Sequence, residues 1–258
     1  MTDWAIYLGY TVLAMAILAV VVLLVARFTW GRHYTFGLFV LYSINQFFTR
    51  VLWRAKVEGS IDLPAGQGAI LVSNHRAGID PLLIQLATKR VVHWLVAREY
   101  VEHRMMAWAF RILQSIPVNR GGIDTAATKQ AIRVVKGGGL VGMFPEGRIN
   151  STEEVLLPGR PGAALVALKA QVPVIPCYVH DAPYNGTALG SFLMRGQAKV
   201  KIGKPIDVSQ FYDSYDDREV QQELTKRFMT EIARLAGVEK YEPKLAGKNW
   251  KPAEPVSS

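Results

Sequence analysis

An α/β fold is predicted: a mostly parallel sheet flanked by helices, preceded by an N-terminal membrane helix and an interfacial helix. Three observations carry the prediction. Short apolar runs alternate with helical periods from residue 55 onward, as repeated strand–helix–strand units require. A long stretch without charge, Trp4 to Ala26, comes before them. Three polar clusters rich in Gly and Pro follow directly on apolar runs, where open α/β sheets carry their sites.

The elements follow in order. Trp4 to Ala26 holds 23 uncharged residues between Asp3 and Arg27. At about 1.5 Å per residue such a helix crosses the ~30 Å hydrocarbon core. A cleaved signal peptide would begin with positive charge and carry a shorter apolar run, whereas here Asp3 leads and Arg27 and Arg32 follow. A buried core helix is the other alternative, and the length disfavours it. The Lys/Arg bias places the C-terminal bulk on the cytoplasmic side of a membrane. Tyr34 to Thr49 is also uncharged but short, mixing aromatics with Ser43, Asn45 and Gln46 and flanked by Arg50 and Arg54. It reads as an interfacial helix, with a core helix of the α/β domain as the alternative.

Beyond Trp53, strands are expected at 69–73, 91–97, 140–144, 172–179 and 198–202. Helices are expected at 81–88, 99–113, 125–136, 161–170 and 219–235. The helix at 125–136 ends on Gly137, Gly138 and Gly139, residues suited to a left-handed cap. The expected domains are residues 1–54 as anchor and interfacial helix, 55–236 as the α/β domain, and 237–258 as a disordered tail. That tail contains Pro243, Pro252 and Pro255 and shows no apolar period.

Composition narrows the chemistry. Half of the 258 residues are hydrophobic and a fifth charged, which excludes wholesale disorder. The single cysteine, Cys177, excludes a disulfide framework and a cysteine-rich zinc site. The net charge of +9 points to an anionic partner. Between Arg76 and Arg148 eleven Lys/Arg stand against five Asp/Glu, while Asp207 to Glu223 carries six acids and one base. Neither a recognition helix nor aromatic-interleaved basic strands occur, so nucleic acid is not expected and an anionic small molecule or headgroup fits better. There is no P-loop, no G-x-S-x-G elbow and no zincin histidine pair, and no metal is expected.

The first polar cluster is Ser73-Asn74-His75-Arg76-Ala77-Gly78-Ile79-Asp80-Pro81. A turn there folds the Asp80 carboxylate back onto the His75 imidazole, leaving the other ring nitrogen as a general base. Alternatively Asp80 caps a helix that starts at Pro81, and His75 is a plain strand-end histidine. The second cluster, Ile116-Pro117-Val118-Asn119-Arg120-Gly121-Gly122, offers a guanidinium fork beside approachable backbone amides, or an ordinary exposed loop arginine. The third, Phe144-Pro145-Glu146-Gly147-Arg148, places a carboxylate and a guanidinium on a tight turn, or a surface ion pair.

Taken in order, H-x4-D, I-P-V-N-R, F-P-E-G-R and then V-P-V-I-P at Val172 to Pro176 resemble the glycerolipid acyltransferases of the 1-acyl-sn-glycerol-3-phosphate acyltransferase type. The resemblance covers about Trp53 to Ile206. It implies transfer of an acyl group from a thioester of coenzyme A or acyl carrier protein to the hydroxyl of a lysophosphatidic acid, with no cofactor beyond that co-substrate. It implies His75 as general base and Asp80 as its partner, and substrate contacts from Asn74, Arg98, Arg120, Glu146, Gly147, Arg148 and Pro176. Arg98 stands where many members carry lysine, and a fork and a point charge hold a phosphate differently. Arg120 would take the acceptor phosphate, Glu146, Gly147 and Arg148 the glycerol part, and Pro176 the acyl or acceptor channel. Other lysolipids or an amino-acid lipid are alternative acceptors; a membrane-tethered lipid-binding protein without turnover is the alternative outside enzymes.

Overall fold

The computed structural model describes residues 3–30, 34–119, 124–184, 188–247 and 250. The chain divides into two compact units at Ile44/Asn45. In the first, α1 (Asp3–Trp30) is one uninterrupted helix. Its segment Ile6–Leu23 is long and apolar enough to cross a membrane, and none of it is buried. Next comes α2 (Phe36–Phe47).

The second unit is built on seven strands: β1 (Lys56–Glu58), β2 (Ala69–Ser73), β3 (Val92–Ala97), β4 (Ile116–Val118), β5 (Leu140–Met143), β6 (Val174–His180) and β7 (Lys199–Ile202). Their order across the sheet is β1-β7-β6-β2-β5-β3-β4. β2 to β6 run parallel, and only the β6–β7 pairing is antiparallel. The C-terminal ends of β2, β3, β4, β5 and β6 therefore share one rim, which is where the polar clusters lie.

Around the sheet run α3 (Asp80–Ile84), α4 (Arg98–Val101), α5 (Ala107–Ile112), α6 (Thr125–Lys136), α7 (Gly162–Ala170), α8 (Ala188–Ser191) and α9 (Arg218–Leu235). Strand alternation splits β2 between two cores. Ile70 and Val72 face the layer of α6, α7 and α9, with Ala131, Val166 and Phe228. Ala69 and Leu71 face Trp53, Leu83 and Trp94 on the other side. Burial on both faces explains why β2 reads as a continuous apolar run rather than an alternating one.

Several expectations are corrected. The α/β unit begins at Asn45 and not at residue 55. Asn45 Nδ2 donates to the Leu82 carbonyl at 3.0 Å, Thr49 is buried, and the Trp53 indole N–H reaches the Ser191 carbonyl at 3.0 Å. The last five residues of the expected interfacial helix thus belong to the domain, which the chain enters through a π-helical turn at Phe48–Leu52. The helix expected at 99–113 is broken into α4 and α5, because Glu102-His103-Arg104 supplies three polar residues in succession and no apolar face. β1 and β4 were not expected: each has only three residues, and β4 contains Pro117, which is tolerated because β4 is an edge strand. The expected disordered tail is ordered as far as its described part goes. Gly159 donates to the Lys244 carbonyl at 2.8 Å and accepts from Ala246 at 2.9 Å. Residues 248–249 and 251–258 lie outside the described residues.

Candidate active site

His75 follows β2, and four independent contacts fix it. Its backbone N–H donates to Glu146 Oε1 at 2.7 Å, and its carbonyl accepts from the Asn150 N–H at 2.7 Å. Its ring Nδ1 lies 3.0 Å from Asp80 Oδ2. Its face stacks on Phe144, centroids 3.8 Å apart and planes 6° apart. Behind Phe144 lies the Trp94 indole, stacked at 4.7 Å. Gly142 makes room for that indole: a Cβ there would sit 2.5 Å from the ring. A glycine inside a strand is the signal that could have announced this three-ring stack.

The same Asp80 oxygen accepts the backbone N–H groups of Arg76 at 2.7 Å and Ala77 at 2.8 Å. All three donors lie upstream of Asp80. The helix N-cap is Ile79, without a side-chain cap bond, so the capping alternative is not the geometry found. A carboxylate oxygen that accepts from two amides is an acceptor for Nδ1–H as well, which leaves Nε2 with its lone pair. The imidazole is 16 % exposed at the rim and the carboxylate fully buried.

Glu146 is 1 % exposed, and both its oxygens are committed to backbone amides: Oε1 to His75 and Oε2 to Leu157 at 2.8 Å. Burial pushes its carboxyl up to about 8, against the opposing pull of the Leu157 and His75 N–H groups and of Arg76. The side chain expected to meet glycerol thus lies buried beneath His75, bonded to its backbone. Gly147 closes the turn at φ 71°, a conformation that suits glycine, and Arg148 beside it is exposed. Arg76 reinforces the same loop by donating to the carbonyls of Asn150 at 3.2 Å and Thr152 at 2.5 Å.

Asn74 departs from its expected role too. Its amide pairs with both backbone groups of Val179, at 2.8 Å each, and so extends the β2–β6 pairing past the end of the ladder. Pro176 is buried inside β6, its ring against Gly203, rather than at the rim. β6 pairs Val174 with Ile206 and Cys177 with Ile202, so a bulge over 203–205 lies opposite Pro176, where the missing N–H leaves no ladder bond unmade.

At the β3 and β4 ends, Arg98 Nε donates to Asn119 Oδ1 at 2.9 Å and its Nη1 meets Glu102 at 3.1 Å. The Asn119 N–H donates to Asp124 Oδ2, while Asp124 Oδ1 caps α6 through Ala126 and Ala127. Asn119 and Asp124 thereby tie the two flanks of segment 120–123. Arg120 itself lies outside the described residues. Among the described residues no cluster of three or more His, Cys, Asp or Glu is arranged to hold a metal ion. Sequence reasoning gave no role to Phe144, Asn150 or Asn119, although each stands inside or beside a quoted motif.

The chain is 25 % identical over 158 residues to the 1-acyl-sn-glycerol-3-phosphate acyltransferase of Bacillus subtilis, covering 60 % of this chain and 75 % of that one. It is 26 % identical over 136 residues to the enzyme of the same name from Borreliella burgdorferi, covering 50 % of this chain and 54 % of the other. In fold it resembles the crystal structure of the 1-acyl-sn-glycerophosphate acyltransferase from Thermotoga maritima, with a TM-score of 0.60, 24 % identity, and coverage of 81 % and 83 %. Residues 54–180, which carry the His75, Arg98 and Glu146 clusters, match the acyltransferase family model, and over that stretch the chain is similar to the acyltransferase family.

Proposed function

We propose that this chain is a membrane-anchored enzyme that moves a fatty acyl group from a thioester, acyl-CoA or acyl carrier protein, to the free hydroxyl of 1-acyl-glycerol-3-phosphate, giving phosphatidic acid. The observation that carries the reading is the His75–Asp80 pair: Nδ1 held at 3.0 Å by a buried carboxylate, with Nε2 left at a partly exposed rim. The names of the relatives support the acceptor.

In this mechanism Nε2 takes the hydroxyl proton as the acceptor oxygen attacks the thioester carbonyl. Asp80 stabilises the imidazolium. The tetrahedral intermediate collapses, the C–S bond breaks, and His75 returns the proton to the departing thiolate. Acceptor and donor meet in one complex, so no acyl-enzyme is needed. Arg120 holds the acceptor phosphate, with the Arg98–Asn119 pair at the neighbouring strand end adding positive charge to the same rim. Gly147 and Arg148 remain beside the glycerol part, whereas Glu146 acts through His75. α1 anchors the chain where an amphiphilic substrate resides, and Arg27 and Arg32, beyond its uncharged segment, favour the cytoplasmic side for the domain.

Purified full-length protein in detergent is expected to release free thiol from acyl-CoA or from acyl carrier protein thioester when lysophosphatidic acid is added. Other lysolipids should give less, and His75→Ala none. Thiol release that favours a different lysolipid would move the acceptor. No release with any acceptor would leave a lipid-binding protein. On the same assay Arg120→Ala should raise the acceptor KM on the order of tenfold or more, with the thioester KM little changed and Arg120→Lys rescuing only in part. An unchanged acceptor KM would return Arg120 to the role of an ordinary loop residue.

A further inference from the structure

Two segments about 140 residues apart in sequence are stitched together on one side of the α/β unit, at the sheet end where β6 stops and β7 begins. Besides the Trp53–Ser191 bond, Gly196 donates to the Leu52 carbonyl at 3.2 Å and Ala198 to the Trp53 carbonyl at 3.1 Å. Phe48 and Phe192 meet edge to face at 5.3 Å, and Trp53 packs on Phe192 at 5.6 Å. These contacts bury one side of each segment and turn the other outward. Phe47 and Val51 are 59 % and 60 % exposed, and Leu193 is 83 % exposed. Arg50, Arg54 and Arg195 are exposed among them. Phe47 and Val51, one π-helical turn apart, are both exposed, with Arg50 beside Val51 in the chain.

Charge is one-sided around this patch. Residues 45–57 contain Arg50, Arg54 and Lys56 and no acid, and residues 182–206 contain Arg195, Lys199, Lys201 and Lys204 and no acid. Large apolar side chains left in water beside arginines that make no ion pair among the described residues are the chemistry of a surface that lies in an anionic headgroup layer. The apolar tips enter the acyl boundary, and the guanidinium groups reach phosphates on stems that lie along it.

We propose that the Phe47–Arg54 and Phe192–Arg195 segments form a second bilayer contact of the α/β unit itself, distinct from α1, which beds this face in anionic phospholipid. The proposal rests on the acyltransferase reading only in supposing that the enzyme works at a membrane. Its consequence is orientational: α1 alone tethers the domain, whereas a second contact point limits its tumbling and sets the site at a fixed height over the lipid.

Cys177 provides the test. It is the chain's only cysteine and is fully buried, and burial pushes its thiol well above the usual range, so a new surface cysteine takes a maleimide fluorophore selectively. Full-length Leu193→Cys and, as control, Glu223→Cys on the exposed side of α9 are labelled and reconstituted in phosphatidylcholine/phosphatidylglycerol vesicles carrying doxyl-labelled lipid. The expected result is a blue-shifted probe at 193, quenched several-fold more by doxyl lipid than the probe at 223 and shielded from aqueous iodide. Adding Arg50→Glu, Arg54→Glu and Arg195→Glu should abolish most of that lipid quenching while the protein stays with the vesicles through α1. A probe at 193 as open to iodide as that at 223 overturns the proposal, as does quenching indifferent to the three charge reversals. Thiol release is measured on the same unreversed preparations. Turnover without lipid quenching defeats the bilayer contact alone, and lipid quenching without turnover defeats the acyltransferase reading alone.

Discussion

Asp80→Asn is expected to lower turnover by roughly a thousandfold or more, as charge loss does in hydrolase triads, and His75→Ala should be comparably inactive. The geometry gives the reason. Asp80 Oδ2 accepts from Nδ1 and from two backbone amides, and Oδ1 is buried with no hydrogen-bond partner among the described residues. An asparagine can keep its oxygen on the two amides, which preserves the loop 75–80. Its NH2 then fills the Oδ1 position, replacing a buried unpartnered acceptor by a buried unpartnered donor. The stability change should therefore be modest, about 1–2 kcal/mol, read as a few degrees in Tm. What asparagine cannot supply is the negative charge that stabilises the imidazolium. Adding Asp80→Asn to His75→Ala should cost little further activity, because residues that act as a unit are not additive. A stable Asp80→Asn variant that turns over near the wild-type rate would sink the base mechanism and leave Asp80 as a brace for the loop.

Much of this site was legible because its signals are local. H-x4-D places His75 and Asp80 on one turn, and a pre-proline Asp after Gly78 makes the fold-back sterically easy. The alternation of β2 to β6 with helices fixed the parallel sheet, and so the shared rim. What the sequence hid are contacts set by chain approach rather than spacing. Glu146 reads as a turn carboxylate because nothing local shows that Leu157 comes back over it or that His75 presents its N–H from 71 residues away. Asn74 reads as a polar neighbour of the base, while its amide is used up by Val179, 105 residues on. Pro176 reads as a residue of the acyl or acceptor channel; the bulge opposite it is a property of register, invisible until β7 is paired. The tail failed for a similar reason. It has no apolar period, and a bridge between Gly159 and Leu245 needs none.

Glu146→Ala separates the two roles open to this carboxylate. A side chain that touches glycerol would, when lost, raise the acceptor KM and leave the protein about as stable. A brace gives the opposite signature. Alanine strands the buried N–H groups of His75 and Leu157, at a cost of about 1–3 kcal/mol for each, so Tm should fall sharply. His75 then loses one of the four contacts that aim its ring, and a displacement near 1 Å lowers kcat by about a hundredfold with the acceptor KM little changed. Glu146→Gln keeps the shape and removes the ionisation, which gives a second readout should alanine not fold. Burial raises the Glu146 carboxyl from 4.5 to about 8, so between those values the folded chain holds a proton that the unfolded chain has released. That contribution to stability is complete below about 4.5 and is lost as pH rises through about 8. Wild-type protein should lose stability across this window, and the glutamine variant, which cannot ionise, should not lose that share. The gap in Tm between them should therefore narrow steadily as pH rises. A gap that stays constant across this window would mean that the two amides hold Glu146 as a carboxylate throughout; a raised acceptor KM at unchanged kcat would put its side chain back on the substrate.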